Sequence, residues 1–163
     1  MDDKEAVMIA PKQILVATDF GEAAEAALTY GRALAQAFGS TLHVFHVQEN
    51  PFLRATVADP RDLHESILKN LEQRLTDEDR RRGGRAVVEI SDNPAEAIVA
   101  YAKTAGIDFV VMGTHGRTGV GHLLIGSVAE RVVRTAPCPV LTVRHPEREF
   151  VLPDAEDKKQ ASL

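Results

Sequence analysis

Short, uninterrupted apolar runs alternate with stretches of helical period along this chain, and that alternation restricts the fold more than any other feature. Ile14-Leu15-Val16-Ala17 is apolar without a break and ends in Thr18-Asp19, the pattern of a strand covered on both faces. From Glu22 to Phe38 the period becomes helical, with Ala23, Ala27, Tyr30, Leu34 and Phe38 on one stripe and Gly39 as the stop. Thr41 to Val47 reads as a second strand. Residues 48–60 contain two prolines and no period, and read as a connection.

The same alternation continues. Asp62 to about Arg82 reads as one charged amphipathic helix with Leu63, Ile67, Leu71 and Leu75 at successive turns, ended by Gly83-Gly84. Ala86 to Ile90 is a third strand. Asn93, Pro94 and Glu96 then supply a cap, a first helical residue and a capping-box spacing for a helix that stops at Gly106. Asp108 to Met112 is a fourth strand, Ser127 to Thr135 a short helix with Ser127 at its entrance, and Val140 to Val143 a fifth strand. Strands joined by crossovers of helical length imply an α/β fold: a five-stranded parallel open sheet with helices on both faces, Rossmann-like in architecture. In such sheets ligands sit outside the carboxyl ends of the strands, where the winding reverses. The residues at those ends are Asp19, Val47-Gln48 and Met112-Gly113.

Charge and cysteine content narrow the function. The 163 residues carry 24 acids against 19 bases, a net of −5, so the overall field disfavours polyanions and non-specific nucleic-acid binding. Residues 1–12 and 147–163 hold −3 of that charge, which leaves the body nearly neutral. These ends read as an N-terminal extension (1–12) and a flexible C-terminal tail (145–163) around a single domain, 13–144. The first residues lack the layout of a signal peptide, and no apolar run approaches the roughly 18 residues of a membrane span. With one cysteine, Cys138, no intramolecular disulfide can form, which fits a cytoplasmic location.

The chemistry concentrates between Met112 and Val128. Gly113, Gly116, Gly119, Gly121 and Gly126 fall in one connection after a strand and before a helix, beside His115, Arg117 and His122 and without any acid. Glycines let backbone N–H groups approach a bulky anion, and a helix start adds free N–H groups and partial positive charge. This describes a phosphate cradle. It is not a Walker A loop, because Gly121 to Ser127 has the glycine spacing but no lysine. The dinucleotide pattern is also missing, since Thr18-Asp19-Phe20-Gly21 follows the first strand where G-x-G-x-x-G belongs.

Gly113-x2-Gly116-x9-Gly126-Ser127 resembles the glycine signature of the universal stress protein family, in its ATP-binding branch. The likeness extends over residues 12–144, through Ile14 to Phe20, Leu42 to Val47, Asp108 to Gly116 and Ala136 to Leu141. The family often has proline where this chain has Ala17, and glycine where it has Asp92. The resemblance implies an ATP-binding, nucleotide-dependent regulator of stress response that acts by binding. Ala17, Thr18 and Asp19 would hold the adenine and ribose end, and Val47 the adenine edge through its backbone. Met112 and Gly113 would line the ribose and first phosphate. His115, Gly116, Arg117, Gly126, Ser127 and Val128 would surround the phosphates. It further implies Mg2+ held by the phosphates, and a homodimer through Val140 to Val143. Two alternatives stay open: a slow ATPase or phosphotransferase, with His115 or His122 as its base, and a dimeric adaptor that binds no nucleotide.

The remaining polar residues have plainer readings. Asp19 is either a crevice residue or the N-cap of the first helix. His43 and His46 fall on opposite faces of the second strand, at odds with a shared metal. His64 reads as exposed on its helix. Arg80-Arg81-Arg82 complements the negative end of the helix that carries it. Cys138, between two prolines, reads as a packing residue.

Overall fold

A computed structural model describes residues 9–50, 59–115 and 125–145. The order of elements is β1 (Gln13–Ala17), α1 (Glu22–Phe38), β2 (Thr41–Gln48), α2 (Pro60–Glu72), α3 (Asp77–Arg81), β3 (Arg85–Ile90), α4 (Pro94–Thr104), β4 (Phe109–Gly113), α5 (Ser127–Thr135) and β5 (Val140–Val143). The strands form one sheet in the order β3-β2-β1-β4-β5, and every neighbouring pair is parallel. The α/β architecture read from the periodicity is the one observed.

Two cores lie on opposite faces of this sheet. Alternate residues of β1 divide between them: Ile14 and Val16 face α1 and α2, whereas Leu15 and Ala17 face α4 and α5. The central strands β1 and β4 therefore carry unbroken apolar runs, because both of their faces are covered, and β2 between β1 and β3 interrupts its run only at His43 and His46. β3, at an edge, is only partly covered and leaves Ile90 exposed. Among the described residues, no helix is long and apolar enough to cross a membrane.

The boundaries of α1, α5 and β5 fall where the sequence put them, and Gly39 ends α1 in the left-handed conformation. Three local readings need correction. The long helix expected from Asp62 to Arg82 is two helices. Thr76 interrupts it because its side chain accepts the Asp79 N–H while Asp79 accepts the Thr76 N–H, a complete capping box. At α4, Asn93 does accept the Glu96 N–H, but the Asn93 N–H goes to Ser91 Oγ, so the box is not reciprocal. Phe38 closes the predicted stripe of α1, yet it is exposed at the last helical position, where Ala35 takes the buried place in that turn. Residues 51–58 of the first connection lie outside the described residues.

The arginine cluster sits at the C-terminal end of its own helix, with Arg80 and Arg81 in the last turn of α3, and it also serves the ends of two other helices. Arg82 Nη1 donates to the Ala35 and Gln36 carbonyls at the end of α1, and Arg80 Nη2 donates to Glu72 O at the end of α2.

Candidate functional site

Because β1 connects onward to β2 on one side and pairs with β4 on the other, the winding of the sheet reverses between β1 and β4. The carboxyl ends of these two strands, with the helices that follow them, frame the candidate site. The sequence-predicted residues Ala17, Thr18, Asp19, Met112, Gly113 and His115 all fall here, and the register sets Ala17 opposite Met112.

The β1 side is a tight, fully bonded turn. The Thr18 N–H donates to Phe45 O of β2, and Thr18 Oγ1 accepts the Phe20 N–H at 3.0 Å. Asp19 Oδ1 accepts the Gly21 N–H at 2.9 Å. Asp19 is thus not the N-cap of α1. Gly21 holds that position, and its own N–H is what the carboxylate binds. His46, on the α1 face of β2, donates from Nδ1 to Thr18 O at 2.8 Å and so ties the turn to the neighbouring strand. Val47 follows it, one residue before the end of β2.

The β4 side is held open by one backbone hydrogen bond. Thr114 N–H donates to Val143 O of β5, and Thr114 O accepts the Gly126 N–H at 2.5 Å. That bond brings the start of α5 to the end of β4. A Cβ at position 126 would stand 2.9 Å from Thr114 O, so the close approach needs glycine. Thr114 Oγ1 and His115 Nδ1 lie 2.9 Å apart. The N-cap of α5 is Gly126 and not Ser127, which is the exposed first helical residue, while Val128 packs against the α4 core. Gly116 and Arg117 lie outside the described residues, as do Gly119, Gly121 and His122.

The helix ends differ in a way that bears on anions. α2, α3 and α4 are capped by the side chains of Asp59, Thr76 and Asn93. α1 and α5, which flank the reversal point, begin at glycines and receive no side-chain cap bond. Among the described residues, the first N–H groups of α5 therefore have no side-chain oxygen competing with an external acceptor. α1 is less suited, because Glu22 and Glu25 occupy its first turn. A shallow hollow between Phe20, Ala26, Thr29 and His145 is bordered by these two glutamates, the wrong sign for phosphate.

Other polar residues have structural employment. His43 is buried beneath α4, where its Nε2 donates to Gln13 Oε1 at 2.7 Å and its Nδ1 accepts from the Tyr101 hydroxyl at 2.8 Å. Burial, and then the Arg85 charge, lower its pKa from the ordinary 6.5 to about 4. Burial raises the Tyr101 hydroxyl. His64 is not on an exposed face: it is half-buried and donates from Nδ1 to Gln48 Oε1 at 3.2 Å. The Cys138 thiol is pushed up by burial first and then by Asp108, which suits a packing residue better than a nucleophile. Among the described residues, no three His, Cys, Asp or Glu side chains converge on a common point that would hold a metal ion.

Comparison with known proteins places this geometry in a family. The model of the universal stress protein family matches residues 11–144. Universal stress protein MJ0531 of Methanocaldococcus jannaschii is 31% identical over 144 residues, which is 85% of each chain. The solved structure of MJ0577 from the same organism superposes with a TM-score of 0.68 at 29% identity, covering 86% of this chain and all of that one. Two more distant structures share the fold. A universal stress protein from Archaeoglobus fulgidus, solved in complex with dAMP, has a TM-score of 0.54 at 23% identity over 83% of this chain and 99% of its own. Another, solved in complex with cAMP, has a TM-score of 0.59 at 22% identity over 83% and 98%. Strand order, the glycine-lined reversal point and sequence similarity along nearly the whole domain agree, and the chain belongs to the universal stress protein family.

Proposed function

We propose that this chain binds ATP in the crevice between the carboxyl ends of β1 and β4, and works by binding, as a nucleotide-dependent regulator of the stress response. The observation that carries the reading is the start of α5, where a glycine cap leaves the first N–H groups of a nine-residue helix without a side-chain partner among the described residues, at the point where the sheet reverses. In this reading Gly126, Ser127 and Val128, with His115, Gly116 and Arg117, surround the phosphates. Met112 and Gly113 line the ribose and first phosphate. Ala17, Thr18 and Asp19 hold the ribose and base, and the backbone of Val47 meets the adenine edge. The adenine nucleotides bound by distant members of the fold support the choice of ligand class. Mg2+ would accompany the nucleotide, held by its phosphates and water.

The same reading pairs two copies of the chain through Val140 to Val143. β5 forms an edge of the sheet, and its Val140, Leu141 and Thr142 are only partly covered.

Ser127→Asp tests the site. A carboxylate at the first position of a helix favours the helix dipole, so the fold is retained, while phosphate is repelled. Calorimetry is expected to show ATP binding by the wild type and a loss of at least about a hundredfold in the variant. Native mass spectrometry of freshly purified protein reads the bound nucleotide and the subunit count together. Equal ATP affinity in wild type and variant would exclude this site.

A further inference from the structure

Phe20 is the one non-glycine residue with a left-handed backbone among the described residues, at φ +64°. A side chain with a Cβ adopts that conformation only when its surroundings hold it there. The holding contacts come from two elements outside the turn. The His46 ring of β2 lies 4.6 Å from the Phe20 ring, centroid to centroid, and its Nδ1 bonds Thr18 O. On Phe20 also sits the guanidinium of Arg74, 4.7 Å from the ring centroid. Arg74 follows the last turn of α2, and Glu25 of α1 orients it by accepting from Nε at 2.9 Å and from Nη2 at 2.7 Å.

The backbone so constrained is the turn that presents Thr18 and Asp19. Phe20 N–H is bonded to Thr18 Oγ1, and Gly21 N–H to Asp19 Oδ1. If Phe20 relaxed to negative φ, both N–H groups would swing and both side chains would lose the bonds that aim them. We infer that Phe20 and Arg74 form a positioning pair, in which the cation–π contact holds the β1–α1 turn in the geometry that receives the nucleoside part of the ligand. The inference rests on the nucleotide-binding reading above. Neither residue need touch the ligand. Arg74 acts through Phe20, and Phe20 acts through Thr18 and Asp19.

The experiment measures binding of ATP and of inorganic triphosphate to the full chain by calorimetry. Arg74→Met keeps the length of the side chain and removes its charge; Phe20→Leu keeps bulk and removes the π face. Each is expected to weaken ATP about tenfold while leaving inorganic triphosphate within about twofold, a split that a general loss of stability does not produce. The Phe20→Leu/Arg74→Met double variant is expected to lose no more than Phe20→Leu alone, because without the ring Arg74 has nothing to act through. Phe20→Gly/Arg74→Met is expected to regain affinity relative to that double variant, since glycine takes positive φ without a clamp. Phe20→Tyr, which keeps the ring, is expected to match the wild type. The inference is overturned if the wild type binds ATP and Arg74→Met binds it equally well, or if both ligands weaken together. A wild type that binds neither ligand overturns the site reading itself, and the pair's role with it.

Discussion

The Cβ that Gly113 lacks would stand 2.8 Å from the Cβ of Ala23 and 2.9 Å from its carbonyl carbon. The first glycine of the signature therefore lets α1 lie against the end of β4, which sets the spacing between the two strands that frame the crevice. Gly113→Ala should destabilise the fold by about 1–3 kcal/mol, because the new methyl meets backbone that cannot rotate away. Urea unfolding monitored by circular dichroism measures it. An unchanged midpoint would mean that α1 is not seated on β4 as described.

His43 should make stability depend on pH. Its pKa is about 4 in the folded chain and near 6.5 when unfolded, so below pH 6.5 the unfolded state takes up more protons. The contribution is complete above pH 6.5 and is lost as the pH falls towards 4, amounting to about 3 kcal/mol over that window. Arg85 acts on His43 directly, and Arg85 and Glu89 both act on its hydrogen-bond partner Tyr101. Unfolding free energies of the wild type and His43→Gln, measured at several pH values, should show a shallower slope in the variant.

Asp79 is 3% exposed, and its Oδ2 accepts both Arg32 Nε and the Thr76 N–H at 2.9 Å. Asp79→Ala removes the reciprocal half of the capping box and the carboxylate partner of a largely covered guanidinium, so a loss of about 3 kcal/mol is expected. Asp79→Asn, which keeps an acceptor for Thr76, should cost less. Thermal unfolding of the two variants side by side gives the ordering.

Edge pairing of β5 predicts a change in subunit count. Pro139 O and Val143 O are bonded towards β4, so by the period of two the N–H of Thr142 faces away from it. Thr142→Pro removes an outward donor and leaves the inner ladder intact. Size-exclusion chromatography with light scattering should find a dimer for the wild type and a monomer for the variant.

The architecture and the framing strands were legible from the residues because they rest on local signals. Ile14 to Ala17 is apolar without interruption, Gly39 is an unambiguous stop, and the glycines after Met112 stand where a strand hands over to a helix. The break between α2 and α3 was hidden by Leu75, which continues the spacing of Leu71 although the backbone has already turned. The Thr76-x-x-Asp79 capping signature was present and would have exposed it. Other features depend on residues distant in the chain and leave no local trace. Nothing near His64 announces Gln48, and nothing near Phe20 announces Arg74. Gly113 and Gly126 read as backbone freedom for a ligand, yet each also makes room for neighbouring chain, and only packing discloses that second use.

The hydrogen bond from Gly126 to Thr114 has a consequence for how variants of this scaffold can be built. It joins the two ends of the 115–125 connection, so the sheet and α5 are already closed on each other before that connection is considered. Extra residues inserted there add loop-closure entropy that grows only logarithmically with length. In the proposed reading, exchanging that connection whole would alter the phosphate contacts, while the rest of the domain remains a constant chassis.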